Sequence, residues 1–444
     1  MLIVELLPII LLGVMAGVIA GFIPGVGVFV SLTLAYPWLL QLNGIELLAF
    51  YVALGSTTQY IGSISATVFA IPGETSSLPA VKEGDAMFLN GQGGLAISGA
   101  AIGSFVGSFL VLGVCFALFP FLENVQFLYN TFLQAIILVC VAILICVATD
   151  HPFKSFSLAV VGYFLGLIGC RNIDNQCFAT FGDHPDLVGG LPMLPVIIAI
   201  YIFPKLLQSS NFDNTNFLDK PIENNFFEHL RYFLDNWVTV VRSTIVGFFA
   251  GFTPGVSTTI SANLSYTLEK FIQKRKKLYK EGDYRSLVAA ETANNAGAFS
   301  CLLPLLILGI PIVPSEALLY EIASAKGFIF GETFTLETFK LLAIILVIVN
   351  FLALCIAWPF AKHVCWLHKI PVKTLNALIF IALIGVVYMA GAKFYSQEYY
   401  LIVLFALLPF GYLLRKYNTL PLIFVFVIQT RLDVIAIRVG DFLQ

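Results

Sequence analysis

The sequence predicts an all-α polytopic membrane protein: about 12 transmembrane or re-entrant helices in two inverted structural repeats, with broken helices at the midplane. Three observations carry this reading. Apolar residues make up 59% of the 444 and charged residues 11%, against about 45–50% and about 25% in an ordinary soluble domain. Long apolar stretches recur from Leu2 to Val439 with short polar breaks between them, and about 20 such residues cross a bilayer. Finally, one Gly/Pro-bearing segment occurs twice, once in each half of the chain.

Taken in order, apolar segments lie at 2–23, 28–42, 46–72, 95–122, 131–149, 154–169 and 187–207. A second series lies at 236–252, 257–272, 286–310, 312–330, 336–360, 372–392, 398–414 and 419–437. The longest polar stretch separates the two series, so residues 1–207 read as a first membrane repeat and 208–231 as a polar linker. Residues 232–444 then form a second repeat with additional C-terminal spans. No basic region precedes the first apolar run, and that run is expected to remain as a span. Net charge is −2, with no basic surface that would suit nucleic acid; the expected surroundings are a lipid bilayer. The eight cysteines (115, 140, 146, 170, 177, 301, 355, 365) lack CxxC pairs and sit mostly in apolar runs. They read as free thiols acting as small hydrophobes, without the spacings of a zinc site, haem attachment or a disulfide framework.

The repeat is the informative feature. Gly17–Tyr36 (GVIAGFIPGVGVFVSLTLAY) and Gly247–Tyr266 (GFFAGFTPGVSTTISANLSY) align without a gap, with ten of twenty positions identical. Two apolar helices could share leucines by chance, but not this Gly/Pro pattern. Gln273–Arg285, after the second copy, holds six basic and two acidic residues, so it is expected on the cytoplasmic side. The matching stretch, Pro37–Glu46, has no Lys or Arg. Equivalent loops of opposite charge bias predict inverted topology.

Pro24-Gly25 and Pro254-Gly255 interrupt apolar segments; each proline removes a backbone donor and each glycine admits unusual dihedrals. Such backbone survives at membrane depth only inside protein or beside a watery cavity. A helix restarting there turns free N–H groups and a partial positive charge toward whatever lies in front of it, which suits a carboxylate or phosphate. A second break follows in each half. Small polar residues from Gly55 to Ser65 lead to Ile71-Pro72-Gly73-Glu74-Thr75-Ser76, and Glu291 to Gly297 lead to Gly309-Ile310-Pro311. The ridges Gly13/Gly17/Gly21 and Gly99/Gly103/Gly107 read as close helix packing.

With these residues in view, the chain resembles the large membrane subunit of the tripartite tricarboxylate transporters. The first-half likeness rests on Pro24-Gly25, Tyr60-Ile61-Gly62-Ser63, Ile71-Pro72-Gly73, Glu83-Gly84, Met87 and Gly91-Gln92-Gly93-Gly94. The second-half likeness rests on Pro254-Gly255, Tyr266, Glu269-Lys270, Glu291, Asn294-Asn295-Ala296, Pro304 and Leu308-Gly309-Ile310-Pro311. The resemblance implies a secondary active transporter of the bacterial inner (plasma) membrane that imports a tri- or dicarboxylate-like anion on a sodium or proton gradient. It also implies a small four-span membrane subunit and a periplasmic solute-binding protein as partners. The chain departs from the family at Glu74-Thr75, where Thr-Pro is usual, at Glu83, Asp85 and Leu95, and at Ile312 in place of a glycine.

The candidate substrate-binding residues are Pro24, Gly25 and Gly27, then Tyr60, Gly62, Ser63 and Ser65, then Pro72, Gly73, Thr75 and Ser76. In the second half they are Pro254, Gly255, Thr258, Asn294, Asn295 and Pro311. Glu74, Glu291 and Asn294 are the candidate ion-coupling residues. Glu74 reads as a first-turn cap of the helix restarting after Gly73, or as a coupling carboxyl. No organic cofactor is expected; the coupling ion is a proton or sodium. An intramembrane hydrolase is disfavoured, because the five histidines (151, 184, 229, 363, 368) all lie at or near polar breaks and a nucleophile needs a base beside it. A passive channel or a non-transporting scaffold is the remaining alternative.

Overall fold

The computed structural model describes residues 2–23, 26–70, 74–124, 131–147, 151–170, 177–181, 185–209, 225–331, 335–358, 371–393 and 396–429. Pro24, Gly25, Pro72, Gly73, Cys365, Asp441, three of the five histidines and most of the 208–231 linker lie outside the described residues.

The first half opens with α1 (Leu2–Phe22), α2 (Gly27–Leu39) and α3 (Gly44–Phe69). A 3₁₀ turn (Thr75–Ser77) and a π turn (Ala80–Gly84) lead to α4 (Asp85–Leu89), α5 (Gly93–Asn124), α6 (Thr131–Val147) and α7 (Pro152–Leu167). A short antiparallel hairpin, β1 (Gly169–Cys170) and β2 (Cys177–Phe178), precedes α8 (Pro185–Val188) and α9 (Met193–Ile197). A second π turn (Ile198–Ile202) joins α9 to α10 (Phe203–Ser209). The second half holds α11 (Phe226–Leu234), α12 (Trp237–Ala250), α13 (Ser257–Arg275), α14 (Tyr284–Leu308), α15 (Pro314–Ser324) and α16 (Leu336–Ala357). It ends with α17 (Val372–Lys393), α18 (Gln397–Leu414) and α19 (Leu420–Gln429).

Among the described residues five helices are long and apolar enough to cross a membrane: α1, α5, α16, α17 and α18. Several shorter apolar helices accompany them, α2, α6, α7 and α12 included. Two more, α3 (26 residues) and α14 (25 residues), have the length to cross but carry the polar runs, and most of their residues are buried. Polar helices of this kind persist in an apolar setting only when other helices wrap them.

Local chemistry fixes the ends of both. Asn43 and Glu46 form a reciprocal capping box at the start of α3, with Glu46 N donating to Asn43 Oδ1 at 2.9 Å and Asn43 N to Glu46 Oε2 at 2.8 Å. Asp283 caps α14 by accepting from Ser286 N at 2.8 Å. Gly309, at φ 63°, ends α14 in the left-handed conformation that favours glycine there.

The glycine ridges set the directions. Gly13, Gly17 and Gly21 of α1 meet Ala53, Thr57 and Ile61 of α3 in ascending order, so the two helices run parallel. A β-carbon on Gly17 would come within 2.8 Å of the Leu54 carbonyl oxygen, which only a missing side chain avoids. Gly247 and Gly251 of α12 meet Ala293 and Gly297 of α14 in the same way, and Gly99, Gly103 and Gly107 of α5 meet Tyr284, Val288 and Thr292. By contrast, α3 crosses α14 in the opposite sense. Ser63 meets Glu291, while Tyr51, earlier in α3, lies beside Cys301, later in α14.

One expectation changes. Cys170 and Cys177 are not free thiols but form a disulfide between β1 and β2; the antiparallel pairing sets the two residues opposite each other, with their Cα atoms 4.0 Å apart. The two strands are of two residues each, and the fold is otherwise helical, as the all-α reading expects. None of the other described cysteines forms a disulfide.

Candidate substrate cavity and buried carboxylates

The restarted helices converge. A cavity of about 740 Å³ is lined by Val26–Val30 at the start of α2 and by Gly255–Thr259 at the start of α13. Its wall is completed by Tyr51, Gly55, Ser56 and Gln59 of α3, by Asn295 and Cys301 of α14, and by Val313–Ser315 entering α15. Glu74, Lys205 and Lys416 are the charged residues among the described lining.

The two breaks in the second half are joined directly. Gly255 takes φ +87° and its N–H donates to Ile312 O at 2.7 Å, so the Pro-Gly break is bonded to the chain just after the Ile-Pro break. That N–H is therefore committed within the protein. The start of α13 has no side-chain cap, and Ser257 Oγ bonds back to Thr253 O at 2.6 Å. At the next break Glu316 caps its own helix: Oε2 accepts from Ile312 N at 2.9 Å, and Oε1 from Cys301 Sγ at 3.0 Å.

Glu74 behaves differently from expectation. It precedes a three-residue 3₁₀ turn rather than opening an α-helix, and its carboxylate reaches across to α2, where Oε1 accepts from Val28 N at 3.1 Å. It caps the other broken helix of its own half.

Of the predicted residues, Gly27, Glu74, Gly255, Thr258 and Asn295 meet at the cavity. Tyr60, Gly62, Ser63, Ser65, Ser76, Pro254, Glu291, Asn294 and Pro311 are not on its wall, and the side chain of Thr75 is outside what is described. Tyr60 donates to Asn350 Oδ1 at 3.0 Å, and Ser65 to Phe22 O at 3.4 Å. These are contacts between helices.

Ser63 belongs to a second polar centre, one helical turn from Asn295. Its hydroxyl donates to Glu291 Oε2 in a very short contact. Glu291 is fully buried; its Oε1 has no partner, and it forms no ion pair among the described residues. Asn295 Nδ2 bonds Ser104 Oγ at 2.7 Å. The Asn294 amide, beside the Glu291 carboxyl, leaves both its N and O without a hydrogen-bond partner, as does the Thr292 hydroxyl. A buried carboxyl ringed by unsatisfied oxygen donors is costly, and ionisable groups held this way in membrane helices mark ion or proton paths.

Sequence reading missed Gln59, Tyr201, Lys205, Cys301, Glu316 and Lys416. Two of these had a signal: Lys205 falls within an apolar run four residues after Tyr201, to whose hydroxyl it donates at 2.7 Å, and Glu316 follows Pro314 in a first-turn capping position.

The family model for the tripartite tricarboxylate transporter TctA family matches residues 7–426. The chain belongs to this family. Its five long apolar helices fit a multi-pass membrane protein. It is 26% identical over 309 residues to an uncharacterised 52.8 kDa protein of the TAR-I ttuC' 3' region of Agrobacterium vitis, covering 69% of this chain and 61% of that relative. It is 36% identical over 73 residues to an uncharacterised protein of the TAR-II ttuC' 3' region of the same organism, covering 16% of this chain and 30% of that relative. The chain thus spans less than two thirds of the length of either relative. No solved structure matches it.

Proposed function

We propose that this TctA-family subunit imports an organic anion of the tri- or dicarboxylate class across the bacterial inner membrane on a sodium or proton gradient. It would do so with a small four-span subunit and a periplasmic binding protein that delivers the cargo. The observation that carries this reading is that Val26–Val30 and Gly255–Thr259, from the duplicated segments, line one cavity together with Lys205 and Lys416. Two helix ends and two cations favour an anion there.

The directions of the helices support an inverted repeat. In each half the helix before the Pro-Gly break runs parallel to the helix two places later, α1 with α3 and α12 with α14, while α3 and α14 oppose each other. Residues 1–207 and 232–444 would then be the two units. The disulfide hairpin follows the C-terminal end of α7, while Lys154, at the other end, stacks on Tyr417 beside Arg415 and Lys416. Disulfides belong to oxidising compartments and basic ends to the cytoplasm, so both criteria orient the hairpin toward the periplasm.

Glu291 and Asn294 are our candidates for the coupling cation, either a proton on the carboxyl or a sodium ion among the carboxylate, amide and hydroxyl oxygens. Removing a buried polar partner costs about 1–3 kcal/mol, so Asn294→Ala is expected to lower uptake about tenfold or more.

A direct test uses single cysteines at Val28 and Thr258 in a cysteine-free background. Both are expected to react with a small anionic thiol reagent, and citrate or succinate is expected to shield both. Shielding of one without the other would contradict a shared cavity. Tags at 37–46 and 274–285 are expected to label from opposite faces; labelling from one face would exclude the inverted arrangement.

A further inference from the structure

Among the described residues that line the cavity, Glu74 is the acid and Lys205 and Lys416 are the bases. Its bonding is half complete. Oε1 accepts from Val28 N at 3.1 Å, and no other described group bonds the carboxylate. Gly27 makes room for it, since it sits at φ +51° and a β-carbon there would lie 2.7 Å from Oε1. Neither lysine pairs with Glu74. Lys205 lies within electrostatic reach of it, but its Nζ donates to Tyr201 OH at 2.7 Å and sits 4.3 Å from the centre of that ring. Lys416 is exposed, on the stretch 416–420 that lines the cavity. From α3, Tyr51 is within electrostatic reach of both Glu74 and Glu316 and bonds Ser315 Oγ at 3.0 Å. Glu316 has both oxygens engaged, by Ile312 N and by Cys301 Sγ. Glu74 has an oxygen to spare.

We propose that Glu74 takes up a proton as a dicarboxylate enters the cavity and releases it when the cargo leaves, so that cargo and proton are bound together here. This rests on the organic-anion reading given above and deepens it by naming the charge of the cargo. With Glu74 ionised the described lining carries one net positive charge; with Glu74 protonated it carries two, which match a dianion. An ionised Glu74 would repel the cargo in a space where like charges interact strongly. A protonated Glu74 donates its O–H to a cargo carboxylate instead. The proton comes from water and joins the oxygen that Val28 N does not hold; no other bond forms or breaks. A sodium ion suits this place less, because hard cations take several oxygen ligands and what reaches the Glu74 carboxylate is a backbone N–H with a lysine beyond it.

The test is calorimetry of succinate binding to the purified full-length chain in nanodiscs, in buffers of different ionisation enthalpy, which counts the protons taken up per succinate bound. Measurements start above neutral pH, where succinate is already a dianion. Wild type is expected to take up about one proton more than Glu74→Gln, and its affinity to fall by up to about tenfold per pH unit relative to that variant. Glu74→Ala is expected to match Glu74→Gln, which keeps the test open should one of the two not fold. Replacing sodium by choline is expected to leave the difference in proton count unchanged. No proton uptake by wild type, an equal count in wild type and both variants, or a difference seen only as lost sodium dependence would overturn the assignment while leaving the organic-anion reading intact. Failure of wild type to bind succinate or citrate at any pH would overturn both.

Discussion

Glu83 and Glu291 are equally hidden from solvent, at 1% and 0% exposure, yet their surroundings are opposite. Glu83, in the π turn after the second break of the first half, is saturated. Tyr266 OH at 2.7 Å, Tyr279 OH at 2.9 Å and Lys270 Nζ at 3.5 Å reach its Oε1, and the backbone N–H groups of Gly282 and Asp283 reach Oε2 at 2.9 Å each. Glu291 has one hydroxyl on one oxygen and nothing on the other. A carboxylate with five donors, one of them a cation, joins the first half of the chain to α13 and the 279–283 loop of the second. A carboxyl left half-satisfied, one turn from the cavity, is free to take a cation or a proton. The contrast separates a carboxylate whose bonding is complete from one with an oxygen left unpaired, and it is for this reason that we propose the second for coupling.

The largest expected effect comes from breaking the saturated member. Glu83→Ala strands Lys270 and two backbone donors, and removing one partner of a buried ionic network costs about 3–5 kcal/mol. Thermal unfolding of the purified protein is expected to show a large loss, whereas Glu291→Gln is expected to unfold near wild type. The reverse order would break the comparison.

Acid should expose the same difference. Burial alone would raise the Glu83 carboxyl, but the Asp283 amide, the Tyr266 and Tyr279 hydroxyls and Lys270 outweigh it and hold Glu83 below its ordinary value. A carboxyl lowered on folding stabilises above its unfolded value of about 4.3, and that contribution is lost as pH falls from there through the folded value. Asp283, pushed up by burial, contributes with the opposite sign. Glu83→Gln is therefore expected to flatten the acid-side loss of stability relative to wild type; parallel pH profiles would show that the network does not depend on the Glu83 charge.

Smaller effects sharpen the second centre. Asn295→Ala leaves Ser104 without its amide donor and is expected to cost about 1–3 kcal/mol. Tyr60→Phe removes only the hydroxyl bonded to Asn350, at about 0.5–1.5 kcal/mol, with transport unchanged. A transport defect in Tyr60→Phe as large as that in Asn294→Ala would move Tyr60 back among the substrate contacts.

What the sequence disclosed follows from which constraints are local. The repeated Gly/Pro segments were legible because backbone breaks and close helix packing demand those residue types, and Gly17, Gly21, Gly247 and Gly251 sit on the partner backbones that require them. Caps such as Asn43–Glu46 and Asp283–Ser286 are local as well. The carboxylate partners were not legible. Ser63 and Glu291 are 228 residues apart, and Glu83 finds its partners 183 to 200 residues later. Glu74 was noticed, but its target on α2 depends on how the chain returns after α3 rather than on its neighbours in sequence. The Cys170–Cys177 bridge escaped because seven residues of separation match no recurrent metal or redox spacing.

The most direct measurement is accumulation of radiolabelled organic anion in proteoliposomes holding the complete transporter, under an imposed sodium or proton gradient, for wild type, Glu291→Gln and Glu83→Gln. The account predicts that wild type accumulates the anion and that properly inserted Glu291→Gln loses at least tenfold of the gradient-driven component while still allowing slow equilibration. Glu83→Gln, where it folds, should keep the response to the gradient. Accumulation by Glu291→Gln at the wild-type level, with the same dependence on both ions, would contradict the assignment of the unsatisfied carboxyl to coupling.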